Sequence, residues 1–122
     1  MSPNVILFTA VGIAILVISA LCYLYYKKHY MPIRQREFYS NGALKREYFL
    51  LNGVTNGEDT IFYPTGEVNK IQQWNHGKLE GPFVIYFKNG NNYIAGNYSN
   101  GFYNGEYIVK DIKGNEILRK VF

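Results

Sequence analysis

Few residues in this chain are of types that perform catalysis or bind metals. The 122 residues include two histidines, His29 and His76, and one cysteine, Cys22. A hydrolase or transferase needs a nucleophile beside a base, two converging carboxylates or a cluster of metal ligands. One thiol inside an apolar run can form neither an intramolecular disulfide nor a thiolate metal site. The composition therefore predicts a protein that is not an enzyme and that binds no cofactor or metal.

One pair of adjacent carboxylates, Glu58 and Asp59, has the chemistry for acid–base work. Neighbouring side chains in a strand point to opposite faces, so these two should not converge on one substrate atom. We expect both to be solvated charges at a sheet edge. The glycine-rich turns do not resemble a phosphate-binding loop, because no helix and no correctly spaced lysine follow them. The sequence therefore predicts no small-molecule substrate.

The net charge of +4 is concentrated in a short segment. Lys27, Lys28, Arg34 and Arg36 account for all of it, because nine basic and nine acidic residues balance over residues 37–122. A basic protein prompts a search for nucleic acid or anionic lipid as a partner. Since the region expected to fold is neutral, we predict no nucleic-acid partner.

The elements that must position these residues begin with an apolar helix. The sequence from Val5 to Tyr26 contains no charged residue. At about 1.5 Å per residue, a helix of this length crosses the roughly 30 Å hydrocarbon core of a bilayer. Aromatic and basic side chains at its end match those expected at a membrane surface. The predicted interface residues are Tyr23, Tyr25, Tyr26, Lys27 and Lys28. Residues 1–26 are therefore predicted to be a transmembrane helix.

Two other interpretations of this helix fit less well. A cleaved signal peptide has a basic N-terminal region and a shorter apolar stretch, whereas residues 1–4 carry no basic side chain. A lipoprotein site at Cys22 would need a small residue before it, and Leu21 is bulky. Permanent membrane anchoring is the prediction.

The basic residues lie only after the helix, and short basic flanks are retained on the cytoplasmic side. We therefore predict an N-terminus outside and residues 27–122 in the cytoplasm. Residues 27–36 are predicted to be a basic juxtamembrane linker. Its four basic residues only reach the lower limit of clusters that bind anionic lipid, so a topology signal is the favoured interpretation.

The rest of the chain repeats with a fixed period, here called the repeat period, which is the spacing from Gly42 to Gly66. Ten of the eleven glycines outside the helix fall in three columns of that period, and only Gly96 does not. The columns are Gly42, Gly66, Gly90 and Gly114; Gly53, Gly77 and Gly101; and Gly57, Gly81 and Gly105. Large side chains keep the same register, as in Leu50, Trp74, Tyr98 and Phe122. Each unit is too small to bury its own apolar face, so stability should come from stacking of like units.

Within a unit, the pattern is typical of strands and tight turns. Asn-Gly pairs, the commonest sequence of two-residue turns with positive φ, separate short runs rich in Tyr, Phe, Ile and Val. The pairs are Asn41-Gly42, Asn52-Gly53, Asn56-Gly57, Asn89-Gly90, Asn100-Gly101 and Asn104-Gly105. His76 falls in the column of Asn52 and Asn100, so it is predicted to be a turn residue.

The predicted fold class is all-β, with tandem antiparallel β-hairpins preceded by a single transmembrane α-helix. The short spacing between turns leaves no room for further helices. The repeat domain is predicted to cover residues 37–122, with units 37–60, 61–84, 85–108 and a partial unit 109–122.

The repeated motif resembles the MORN repeat, in the variant form common in bacterial proteins. Its clearest copy is Phe62-Tyr63-Pro64-Thr65-Gly66-Glu67-Val68 followed by Trp74-Asn75-His76-Gly77-Lys78-Leu79-Glu80-Gly81. Similar copies begin at Phe38 and Tyr86, and a truncated fourth copy runs from Ile108 to Gly114. The resemblance covers about 85 of the 122 residues. It implies an elongated, twisted run of β-hairpins that holds proteins together or holds them at a membrane.

The resemblance implies two further roles. Bacterial proteins of this variant type are often described as antitoxins or immunity proteins, which bind and neutralise a cognate toxin. Lipid-headgroup binding has been proposed for the family, but a neutral repeat region gives that role little electrostatic support.

A protein partner is expected at the third unit and the C-terminal edge. Tyrosine is favoured at interfaces because it combines a large contact area with a polar tip. The candidate partner-binding residues are Tyr93, Tyr98, Phe102, Tyr103 and Tyr107. The final strand, residues 116–122, should present an unpaired edge on which Arg119 and Lys120 discourage indiscriminate pairing. We expect a scaffold or an accessory subunit of a complex in a bacterial inner membrane; the alternative is an antitoxin or immunity protein.

Overall fold

The computed structural model describes residues 2–122, which form two compact units divided between Met31 and Pro32. The first unit is one helix, α1, from Pro3 to Tyr30. Ser2 caps its N-terminus, accepting a hydrogen bond from the N–H of Val5. The 28 residues extend over about 42 Å, and the helix is long and apolar enough to cross a membrane.

The two polar side chains within the apolar run are satisfied locally. The Thr9 hydroxyl donates to the carbonyl of Ile6 at 2.8 Å, and the Ser19 hydroxyl donates to the carbonyl of Ile15 at 2.8 Å. Neither hydroxyl is therefore left without a partner in an apolar environment.

Residues 27–36, predicted to be a linker, belong largely to regular structure. Lys27 and Lys28 continue the helix, which ends at Tyr30. Arg34 and Arg36 lie on the first strand of the second unit. The helix extends further than the apolar run because lysines are good helix formers and favour the C-terminal turn.

The second unit is an antiparallel sheet of 11 strands made of consecutive hairpins. The strands are β1 (Ile33–Phe38), β2 (Leu44–Leu51), β3 (Val54–Thr55), β4 (Gly57–Phe62), β5 (Val68–Asn75), β6 (Lys78–Leu79), β7 (Gly81–Tyr86), β8 (Asn92–Ser99), β9 (Phe102–Tyr103), β10 (Glu106–Lys110) and β11 (Glu116–Val121). The main path runs β1-β2-β4-β5-β7-β8-β10-β11, and the short strands β3, β6 and β9 pair antiparallel with β2, β5 and β8. The all-β prediction and the repeated hairpins are confirmed.

The repeat period is confirmed, but its phase differs from the predicted unit boundaries. Hairpins start at Ile33, Gly57, Gly81 and Glu106 rather than at 37, 61, 85 and 109. All ten column glycines have positive φ, between 78° and 104°. Each glycine column therefore supplies one equivalent bend per hairpin.

The three columns serve three different bends. In the column of Gly42, the N–H of Gly42 donates to the Tyr39 carbonyl and the N–H of Tyr39 donates to the Ala43 carbonyl, which closes a three-residue loop. In the column of Gly53, Asn52 also has positive φ, as a two-residue turn requires. His76 and Asn100 occupy the equivalent place with φ of 46° and 54°, so the prediction of a turn role for His76 is confirmed.

The third column was assigned to the wrong kind of bend. Asn56-Gly57 and Asn104-Gly105 are not hairpin turns; Gly57 lies at an irregularity where the chain passes from β3 to β4 along the same neighbour, β2. The pairing shifts from Leu50↔Thr55 to Glu47↔Thr60, which leaves two extra residues on the β3–β4 side. A glycine with positive φ accommodates such a bulge.

Neighbouring hairpins are also joined through side chains at the three-residue loops. The Tyr39 hydroxyl donates to the Phe62 carbonyl at 2.6 Å, and the Tyr63 hydroxyl donates to the Tyr86 carbonyl at 2.6 Å. Tyr39 and Tyr63 are one repeat period apart, so the same side-chain hydrogen bond links one unit to the next, as a stack requires.

The core lies on one face of the sheet, here called the core face, which bears Asp59, Phe83 and Tyr107. Phe83 is 2% exposed and is the most buried apolar side chain. Gly96 lies opposite Phe83, and a Cβ atom at Gly96 would lie 2.7 Å from a carbon of the Phe83 ring. The glycine outside the three columns is therefore needed for close packing rather than for a bend.

Candidate protein interaction surface

Five aromatic rings form a cluster at the C-terminal end of the sheet. Their register explains the grouping: Phe83 and Tyr107 are one repeat period apart, as are Tyr98 and Phe122, and the short strand β9 pairs Tyr103 with Tyr98. Ring centroids are 4.6 Å apart for Phe83 and Tyr98, 5.2 Å for Tyr98 and Tyr103, and 5.3 Å for Tyr103 and Phe122. The members are Phe83, Tyr98, Tyr103, Tyr107 and Phe122. Aromatic packing of this kind holds the last two hairpins together.

The structure brings together three of the five predicted partner-binding residues. Tyr98, Tyr103 and Tyr107 belong to the aromatic cluster. Tyr93 instead packs on Phe87 with a centroid distance of 4.6 Å. Phe102 pairs with Ser99, one residue out of register with the Tyr98–Tyr103 pair, so its side chain points to the opposite face.

The role of Tyr98 differs from the predicted one. Tyr98 is only 9% exposed, so it is a core residue and not a surface for a partner. Burial, together with the neighbouring Tyr103, raises the pKa of Tyr98 to about 12. A side chain in this position stays neutral and supports the surface from beneath.

The exposed apolar residues of the sheet concentrate at its C-terminal end. Phe102 is 76% exposed and Val121 is 70% exposed. The group, here called the C-terminal surface, lies around the C-terminal edge on both faces of the sheet and consists of Phe102, Tyr103, Ile117, Leu118, Val121 and Phe122. Because exposed apolar side chains are concentrated there, this edge is the candidate interaction surface.

The backbone of the last strand is open along its outer side. Phe122 and Gly105 exchange N–H···O bonds at 3.0 and 3.1 Å. Because orientation alternates along an antiparallel pair, the peptide groups of Arg119 and Val121 point away from β10. No strand follows β11 within residues 2–122, so these groups face outward, as predicted for an unpaired edge.

At the two-residue turns, each hairpin receives hydrogen bonds from the next. The N–H of Gly77 donates to the Thr55 carbonyl at 2.8 Å, and the N–H of Gly101 donates to the Leu79 carbonyl at 2.9 Å. Tyr103 is the next position in this series. No later turn faces its carbonyl in the part of the chain that the structure describes.

A parallel series uses side-chain oxygens. Asn56 Oδ1 accepts a hydrogen bond from the N–H of His76 at 2.9 Å, and Glu80 Oε2 accepts one from the N–H of Asn100 at 2.6 Å. Asn104 holds the next position, one repeat period after Glu80. Backbone carbonyls and side-chain oxygens thus form two rows of acceptors that continue to the C-terminal edge.

The sequence interpretation missed a buried ion pair. Asp59 was expected to be a solvated charge, but its side chain is completely buried. It accepts two hydrogen bonds from Arg46, at 2.9 and 3.0 Å, and one each from Gln72 and Trp74 at 2.8 Å. Glu58 points to the other face and is exposed, so the expectation that the two carboxylates do not converge is confirmed.

The surroundings of Asp59 keep it ionised. Burial alone would raise the pKa of Asp59, but the hydrogen bonds from Arg46, Gln72 and Trp74 more than offset it and hold that pKa below its usual value. Burial lowers the pKa of Lys70, which lies over the Phe83 ring, and Asp59 opposes that effect. The arrangement is a structural charge network that links β2, β4 and β5.

A signal for this network was present in the sequence. Position 59 is in the column of Phe83 and Tyr107, so an acidic residue replaces an aromatic one at a core position. Arg46 and Lys70 are the basic members of another column whose later members are Ile94 and Leu118. Charged residues of opposite sign that replace apolar ones in two columns indicate a buried ion pair. The adjacent Glu58 drew attention to a pair of carboxylates instead.

The predicted membrane-interface residues lie in the last turns of α1. Tyr25 stacks on His29 with a centroid distance of 4.2 Å, and Tyr26 stacks on Tyr30 at 5.3 Å. The Nδ1 atom of His29 lies 2.9 Å from the Tyr25 carbonyl. His29 therefore contacts Tyr25, which lies one turn earlier in the same helix.

Comparison of the chain with protein-family models, with curated proteins and with solved structures yields no match.

Proposed function

We propose that this chain is a single-pass membrane protein of the MORN-repeat type whose sheet binds another protein, as a scaffold or as an accessory subunit of a membrane complex. The C-terminal surface is the observation that carries the proposal. It combines exposed apolar side chains with an open strand edge on a sheet whose hairpins are linked in register.

The form of this surface suits a protein partner. Two of its three aromatic members pack on other rings, Tyr103 on Tyr98 and Phe83 and Phe122 on Tyr103, so these two lose little side-chain freedom on binding. Aromatic side chains fixed in this way are the residues that dominate protein interfaces. The balanced charge of residues 37–122 gives no comparable support for nucleic acid or a lipid headgroup.

The membrane helix supports the second half of the proposal. A tether holds the sheet at the bilayer, where a partner in the same membrane meets it at a high effective concentration. The basic residues Lys27 and Lys28 at the end of α1 support a cytoplasmic sheet with the N-terminus outside.

Cross-linking followed by purification from detergent-solubilised membranes tests the proposal. The full chain should recover a partner in a stoichiometric complex, and the substitutions Phe102→Ser and Val121→Ser should each lower the recovery at least about tenfold. Ile112→Ser is the matched control, because Ile112 is 54% exposed but lies in the loop at the other end of the last hairpin.

The nature of the partner decides between the two roles. A membrane-protein complex supports the accessory subunit, whereas recovery of a secreted or toxic protein identifies an immunity protein instead. Elution of the full chain alone, with and without cross-linker, contradicts both.

A further inference from the structure

We propose that the C-terminal edge binds its partner by strand addition: an extended segment of a different protein pairs antiparallel with β11 and continues the repeat. This inference rests on the proposed function and states which part of the partner is bound. Backbone hydrogen bonds hold the partner segment, and the exposed side chains of the C-terminal surface lie around those bonds.

The interface between hairpins has one geometry that occurs three times. The pairs Glu47↔Thr60, Ile71↔Val84 and Ala95↔Ile108 are equivalent positions, each one repeat period after the last. Arg119 follows Ala95 by the same period, so it is the next residue in the series Glu47, Ile71 and Ala95. Its peptide group points outward, and no strand within residues 2–122 covers it as strands cover the three earlier positions.

A second hydrogen bond recurs beside each of these pairs. The N–H groups of Asn56, Glu80 and Asn104 donate to the carbonyls of Phe49, Gln73 and Asn97 at 2.9, 3.0 and 2.8 Å. Val121 follows Asn97 by one repeat period. Its carbonyl is the next acceptor, and no donor follows it within residues 2–122.

The edge therefore offers four acceptors in a fixed arrangement. Two belong to β11, the carbonyls of Arg119 and Val121, and two lie between β9 and β10, the Tyr103 carbonyl and the Asn104 side chain. In the hairpins β4–β5 and β7–β8, the chain segment that follows the hairpin fills all four equivalent positions. A tight turn followed by a strand is the shape that would fill them here.

The same geometry specifies the incoming strand. A residue with a free N–H must face Val121, and a glycine must come next, as Gly57, Gly81 and Gly105 do after the three donors. The residue three positions after that glycine would lie opposite Arg119, where another cation would be repelled. The ligand is therefore an extended, glycine-containing segment without a basic residue at the paired position.

A second copy of this chain does not meet these requirements through its own first strand. Pro32 occupies the donor column but has no N–H to give to Val121. Ile33 stands where the bulge requires a glycine, and Arg36 would lie directly opposite Arg119. The two ends of the sheet are mismatched, so copies do not join end to end.

The test uses the full chain in detergent micelles and a synthetic peptide with the sequence of residues 76–99, which is one repeat unit and begins with the tight turn at His76-Gly77. Fluorescence anisotropy of the labelled peptide should show saturable binding. In this peptide Glu80 would face Val121 and Val84 would face Arg119. The same peptide methylated on the Val84 nitrogen should bind about tenfold more weakly, since it loses one donor in the ladder.

Two variants of the protein give the complementary comparison. Arg119→Pro removes an outward N–H from an edge strand, and Arg119→Thr keeps it while removing the same charged side chain. Arg119→Pro should weaken peptide binding about tenfold relative to Arg119→Thr. The methylated peptide covers the case in which Arg119→Pro fails to fold, because it leaves the protein unchanged.

The outcomes separate this inference from the proposed function. A cross-linked partner whose recovery falls with Phe102→Ser but not with Arg119→Pro keeps the interaction role and overturns strand addition. Equal binding of the plain and methylated peptides also overturns it. A dimer of the full chain in detergent that Arg119→Pro converts to a monomer assigns the edge to a second copy, against the proposal. Peptide binding without any cellular partner supports the edge chemistry and overturns the proposed function alone.

Discussion

At the scale of single residues, the charge network around Asp59 is the feature on which the second hairpin depends. The carboxylate is fully buried and holds four hydrogen bonds from three side chains. Gln72 Oε1 is buried as well and has no hydrogen-bond partner in the described residues. The site therefore tolerates little further loss of polar contacts.

Asp59→Ala should destabilise the sheet by about 2–3 kcal/mol, because it leaves the Arg46 guanidinium and the Trp74 N–H without their acceptor. Urea unfolding of the full chain in detergent, followed by the fluorescence of Trp74, measures this loss. Glu58→Ala is the control, because Glu58 is exposed; it should change the stability by less than about 0.5 kcal/mol. Equal effects of the two substitutions contradict the assigned role of Asp59.

The same network predicts how stability depends on pH. The pKa of Asp59 is lower in the folded sheet than in the unfolded chain, so its contribution is complete above the unfolded pKa of about 3.9 and is lost as pH falls through the folded pKa. The stability difference between the wild type and Asp59→Asn should therefore shrink as pH falls below about 4. A difference that stays constant between neutral and acidic pH contradicts this.

Sequence reasoning at this scale identified bends better than it identified burial. A glycine with positive φ is set by local backbone sterics, so the sequence around each turn was sufficient. Burial of Asp59 depends on Arg46, which lies on another strand. Such a pair can be recognised only once the strand register is known.

At the scale of elements, the turns at one end of the sheet hold one another. Asn56 and Glu80 each accept a backbone hydrogen bond from the following turn, whereas Asn104 has no following turn within residues 2–122. The three positions are equivalent in the repeat but not in their surroundings.

This difference provides a matched pair of substitutions. Asn56→Ala should cost about 1 kcal/mol, since it leaves the N–H of His76 without its side-chain acceptor. Asn104→Ala should leave the stability unchanged within about 0.5 kcal/mol. Urea midpoints of the two variants, measured under the same conditions, decide the point; a larger loss for Asn104→Ala would argue against stacking of the turns.

The period predicted the hairpins, but it did not predict where each one begins. Any starting point is compatible with a fixed period, so the phase comes from the pairing itself. The function of Gly57 as a bulge also depends on pairing, because β3 and β4 share one neighbour. The local sequence Asn56-Gly57 is the same for a turn and for this bulge.

At the scale of the whole molecule, the charge after α1 predicts its orientation in the bilayer. In a Cys22→Ser background, a cysteine at position 2 (Ser2→Cys) should react with a membrane-impermeant maleimide in intact cells. A cysteine at position 113 (Lys113→Cys), in the last loop of the sheet, should react only after the cells are permeabilised. Labelling of Lys113→Cys in intact cells reverses the predicted orientation.

The separation into helix and sheet was predictable because each has its own sequence pattern, an uncharged run in one case and recurring glycines in the other. The boundary between them was less predictable. Lys27 and Lys28 extend the helix, and Arg34 already belongs to a strand, so these basic residues lie in regular structure rather than in a linker.

Because the interface between hairpins repeats, the width of the sheet depends on the number of units. Each unit adds two main strands, so an in-frame duplication of one unit would lengthen the sheet by about 10 Å without changing any residue already in place. Added units would thus move the C-terminal edge away from the first hairpin in equal steps, without changing the residues that form that edge.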